Sequence, residues 1–150
     1  MSGYKQFGMF LFFCYLAFVL YLTLAAWNYG ASFEPGGFDG RNYNFHPFRS
    51  IFRITFYSPT IYDPIVILLG NIALFIPLGL FLPFLFPSFQ TIVRTVIASF
   101  FVSLFIEVSQ FTFTSRVADV DDLILNTAGG LIGYCFFMII IFLKKRIVYF

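Results

Sequence analysis

Side chains that could move a proton, hold a cation or grip an anion crowd into one stretch, "EVSQFTFTSRVADVDDLILN" (107–126). They are Glu107, Gln110, Arg116, Asp119, Asp121, Asp122 and Asn126. A carboxyl taken out of water has its pKa pushed towards neutrality, so Glu107 or Asp119 could serve as a general acid or base. Carboxylates also suit Mg²⁺ or Ca²⁺, which leaves a divalent cation at Asp119 and Asp121 open. The spacing is not an EF-hand, because Leu123 stands at the next alternate position. Arg116 is a counter-charge for the aspartates or a contact for an anion such as phosphate. Asp122 directly precedes "LILN" and is placed to cap a helix N-terminus. The stretch contains no nucleophile triad and no phosphate-binding loop, and no cofactor is predicted.

The elements that must position these groups are membrane helices. The 150 residues are 60% hydrophobic, 23% aromatic and only 11% charged, well outside the range of a soluble domain. A spanning helix needs about 20 mostly apolar residues, and four windows supply them: 7–26, 65–86, 92–113 and 123–143. An all-α integral membrane protein follows, a four-helix bundle forming one domain over 1–150. The apolar run of the first window is too long for an ordinary signal peptide, so it reads as a retained anchor with both termini on one side. Lys5, Arg94, Lys144, Lys145 and Arg146 share that side, which basic residues mark as the cytoplasm of a bacterial inner membrane. Cys14 and Cys135 fall inside spans as buried small hydrophobes, and nothing resembles a nucleic-acid footprint.

Threading then gathers the polar groups. Asn71, Glu107, Gln110 and Asn126 all fall in the outer halves of their spans. Ser99, Ser103, Glu107 and Gln110 form one stripe of the third span. Asn126, Gly129, Gly130 and Gly133 form another on the fourth, where small residues let backbones approach. Packed together, the stripes would set Glu107 opposite Asn126. An ionisable group inside a span is a functional candidate by default, though a carboxyl that only fixes the bundle by hydrogen bonds has the same sequence. Asp63 and Pro64 read as the cap and first position of the second span, and Pro77 and Pro83 should kink or unwind it. In "HPFRSIFRITF" (46–56), Phe48, Ile51, Phe52 and Phe56 recur at helical spacing, with Pro47 at a permissible start. This segment is an interfacial amphipathic helix of the first outer loop. Its Arg49 and Arg53 either clamp a lipid phosphate or snorkel to headgroups.

"NFHPF" (44–48), "NIALFIPLGLFLP" (71–83) and "SLFIEVSQFTFTSRVADVDDLILNTAGGLIGY" (103–134) together resemble the VanZ-like family of small bacterial membrane proteins, over residues 42–143. The family is named for a member linked to teicoplanin resistance. The resemblance carries over Asn44, Pro47, Asn71, Pro77, Gly79, Glu107, Gln110, Arg116, Asp119, Asp122 and Asn126, and it supplies no reaction. The outward polar cluster and the arginines at 49, 53 and 116 point to a cell-envelope protein that binds a lipid-linked or phosphate-bearing precursor, or a glycopeptide-related ligand, at the outer leaflet. Arg49, Arg53, Asn71, Glu107, Gln110, Arg116, Asp119 and Asn126 would then be the ligand-binding set. Two alternatives stay open: a membrane-embedded enzyme using Glu107 or Asp119 on an envelope lipid, and a scaffold that holds a partner or forms homo-oligomers through Gly129 and Gly133.

Overall fold

The computed structural model describes residues 3–25, 43–114 and 117–148, with side chains to 145. Four helices are long and apolar enough to cross a membrane: Gly3–Ala25, Tyr62–Leu85, Ile92–Phe113 and Val120–Lys145. The chain is therefore an all-α, multi-pass membrane protein. In chain order its elements are α1 (Gly3–Leu20), β1 (Tyr43–Asn44), α2 (Arg49–Tyr57), α3 (Tyr62–Pro64), α4 (Gly70–Leu85), α5 (Ile92–Phe113), β2 (Ala118–Asp119) and α6 (Val120–Val148). Widened π turns close α1 at Tyr21–Ala25 and join α3 to α4 at Ile65–Leu69.

The long α6 is central, packing against both α4 and α5, while α1 lies on α4. Glycines decide how closely. A Cβ on Gly79 would sit 2.0 Å from the carbonyl oxygen of Gly130, and one on Gly130 would sit 2.1 Å from Ser99 Oγ. Cβ atoms on Gly129 and Gly133 would meet the carbonyls of Ile72 and Ile76 at 2.2 and 2.1 Å. The Gly129 and Gly133 pair therefore faces α4 within the chain, not the stripe of the third span; only Gly130 reaches Ser99. Close backbone approach replaces the hydrophobic effect as the packing term where lipid is as apolar as the side chains.

Pro77 and Pro83 do not unwind α4, which runs as α-helix from Gly70 to Leu85. The hydroxyl of Tyr15 donates to the Leu74 carbonyl at 2.7 Å, one turn before Pro77. The carbonyl that Pro77 leaves without its helical donor is that of Ala73, so the Tyr15 bond ties α1 to α4 beside the proline without replacing the missing one. The second span begins at Tyr62, so Pro64 is its third residue, and Asp63 accepts from Ser58 Oγ at 2.7 Å instead of capping the helix.

Beyond the spans, β1 pairs in parallel with β2 in the register Tyr43 to Ala118 and Asn44 to Asp119. This strap ties the segment before α2 to the start of α6. Helix α2 is amphipathic as expected: Ser50 is buried while Phe52, Phe56 and Tyr57 are exposed. It starts at Arg49, so Pro47 lies in the preceding turn, not at the first helical position.

Candidate functional site

Helix α6 begins at Val120, three residues earlier than its apolar run implies. The cap is consequently Asp119, whose Oδ1 accepts from the Asp121 backbone N–H at 2.9 Å. Asp122 is not the cap. It lies in the first turn, where a carboxylate suits the positive dipole end, and it accepts from Asn71 Nδ2 at 2.6 Å.

Asp121 is 1% exposed, and three backbone donors from the start of α2 and the residue before it surround it. The N–H groups of Ser50 and Ile51 reach its Oδ2 at 2.7 and 3.0 Å, and that of Phe48 reaches Oδ1. These are among the orphan donors at the N-terminus of α2, so Asp121 caps that helix from a distance of 70 residues in sequence. Phe48, the residue before α2, has φ 63°, the left-handed region that costs a side chain about 1–2 kcal/mol. The charge-assisted bond to its N–H holds it there.

Asp119 is the junction. Its Oδ1 also accepts from Asn44 Nδ2 at 3.0 Å, its other oxygen is hydrogen-bonded to Ser50 Oγ, and its own N–H donates to Glu107 Oε2 at 2.8 Å. Burial raises its pKa above the ordinary 3.8, and the neighbouring Asp121 charge adds to this. Hydrogen bonds from Ser50, the Asp121 backbone and Asn44 pull the other way. Both oxygens of this carboxyl are engaged in joining α2, β1 and α6. Asp119 and Asp121 thus spend their oxygens on protein donors, and no group of three His, Cys, Asp or Glu placed to hold a metal occurs among the described residues.

The remaining polar groups lie inside the bundle. Ser99, Ser103, Glu107 and Gln110 are buried along one stripe of α5, joined by Thr95 in its first turn. Asn126 is buried beside them, but it donates from Nδ2 to Ser103 Oγ at 2.9 Å, not to Glu107. Helix register explains this correction. Gly130 packs on Ser99 and Asn126 on Ser103, so each step towards the end of α5 retreats along antiparallel α6 and sets Glu107 level with Asp122. Glycine contact fixes the pairing one turn away from the expected one. Gln110 donates from Nε2 to the Thr23 carbonyl at 3.0 Å, within the widened turn of α1.

The structure therefore unites Asn71, Glu107, Asp119, Asp121 and Asp122 at the α2 end of the bundle. Gln110 lies one turn along α5 from Glu107, and Asn126 lies one turn deeper along α6 from Asp122. Arg49 and Arg53 stand on α2, Arg49 exposed and Arg53 half-buried. Arg116 lies outside the described residues. Sequence reasoning missed Ser50 and Thr23. Ser50 carries a weak signal as the small polar residue in the buried face of an amphipathic helix; the Thr23 carbonyl carries none, since a main-chain acceptor has no residue type.

No curated protein and no solved structure matches the chain. A family model does, over residues 12–142, which takes in most of α1 as well as the segments that carry the resemblance. The chain belongs to the VanZ/LLP1 family, as a VanZ-like multi-pass membrane protein.

Proposed function

We propose that the protein binds a lipid-linked, phosphate-bearing envelope precursor at the outer leaflet of the bacterial cytoplasmic membrane, with both termini in the cytoplasm. The observation that carries this reading is the clamped platform of α2. Arg49 and Arg53 stand four apart on a short helix whose exposed Phe52, Phe56 and Tyr57 suit the headgroup and upper acyl region. Guanidinium groups match phosphate bidentately. The bundle interior is acidic and acceptor-rich, so the phosphate contact belongs to these arginines, with Arg116 as the third member. Asn71, Glu107, Asp119 and the other polar groups then act by holding the platform in place. In this reading a contribution to teicoplanin resistance comes from precursor binding.

Purified protein in lipid nanodiscs is expected to retain polyprenyl phosphate selectively over phosphatidylglycerol. Joint replacement Arg49→Ala and Arg53→Ala is expected to lower that selectivity about tenfold, a loss of about 1.4 kcal/mol. Equal retention of the two lipids by the unaltered protein refutes the reading.

A further inference from the structure

Among the described residues, two buried acceptors in the bundle lack a donor. Gln110 Oε1 and Asn126 Oδ1 have no hydrogen-bond partner, and their residues are only 7% and 3% exposed. An unsatisfied polar atom is costly in any protein interior and more so at membrane depth, where bulk water cannot reach it. The local N–H donors are already used. Asn126 Nδ2 goes to Ser103, Gln110 Nε2 to the Thr23 carbonyl, and the Asp119 N–H to Glu107. Both orphans are acceptors, so whatever satisfies them brings protons or positive charge, not an anion.

Their placement selects the ligand. Asn126 is held at the level of Ser103, Gln110 lies seven residues further along the same stripe, and Glu107 lies between them. At 1.5 Å per residue the two levels are about 10 Å apart. That is too far for one ion to touch both oxygens and right for two or three waters at about 2.8 Å spacing. Deeper in the bundle the seam is shut, because Gly130 lies against Ser99 Oγ and Gly79 against the Gly130 backbone with no room for a methyl group. Towards α2 it ends at the strap, where the Asp119 N–H meets Glu107.

We propose that the seam between α1, α5 and α6 binds a short file of water molecules, hydrogen-bonded to Asn126 Oδ1 at its deep end and Gln110 Oε1 at its shallow end, and passing Glu107. The file is blind on one side, so it hydrates Glu107 and connects it for proton exchange with the α2 face alone. This stands independently of precursor binding, since it uses none of the arginines.

Lipidic-phase crystals diffracting to about 2 Å are expected to show water density within about 3.2 Å of both amide oxygens. Joint replacement Gln110→Leu and Asn126→Leu should leave that density absent, and if that variant does not fold, Gln110→Met alone should remove the water at the shallow end. Empty density, amides rotated so that protein donors satisfy both oxygens, or a single ion in place of water each overturns the proposal.

Discussion

Replacing Asp121 with alanine should release α2 while leaving the four spans folded. Its carboxylate accepts from the N–H groups of Phe48, Ser50 and Ile51, and these are the contacts that fix the first turn of α2. Losing a helix cap costs about 1 kcal/mol. The Ser50 N–H, on a buried residue, becomes an orphan and adds about 1–3 kcal/mol. Phe48 is exposed and Ile51 half-buried, so water can replace much of what their amides lose. Release also relieves the left-handed conformation of Phe48, which lowers the cost of opening. The sum is about 2–4 kcal/mol of local stability, or roughly thirtyfold to several-hundredfold faster exchange of these amides if they exchange through opening of α2. Hydrogen–deuterium exchange in nanodiscs reads this directly. Asp121→Asn, which keeps one acceptor oxygen without the charge, should fall between. Protection of Phe48, Ser50 and Ile51 within about threefold of the unaltered protein in Asp121→Ala refutes the capping role, as does loss of protection spread evenly over α4, α5 and α6.

Gly79→Ala should destabilise the bundle by about 3 kcal/mol or more, because its methyl would collide with the Gly130 backbone, which cannot rotate aside. Gly70→Ala meets nothing within 4 Å and should be neutral or mildly stabilising in the same thermal unfolding series. Asp119 should make the strap strengthen in acid. Its folded pKa is raised by burial, so its contribution is fully present below the unfolded value of 3.8 and is lost as pH rises through the folded value. Intrinsic-rate-corrected protection of the Asp121 and Ser50 amides should therefore decline over that window, and Asp119→Asn, which cannot ionise, should abolish the decline. An unchanged slope in Asp119→Asn refutes the assignment.

Apolar runs of spanning length determine the four membrane helices, because only a helix satisfies its own backbone in hydrocarbon. The same logic marks Glu107, Gln110, Asn71 and Asn126 as residues that must find partners, and the 46–56 pattern yields an amphipathic helix outside the spans. Motif resemblance identifies the family. Which partners those polar residues take is a tertiary matter. Asp122 follows the cap rule in sequence, but pairing of β1 with β2 starts α6 three residues early and hands the cap to Asp119. Asp121 has no local signal for its role, since the helix it caps lies some 70 residues away. Glu107 misses Asn126 by one turn because contacts of Gly130 with Ser99 and Gly79 set the helix register. Sequence periodicity specifies which face of a helix is polar. It carries no information about how far one helix slides along another, and that sliding is decided by backbone contact at glycines whose neighbours exist only after packing.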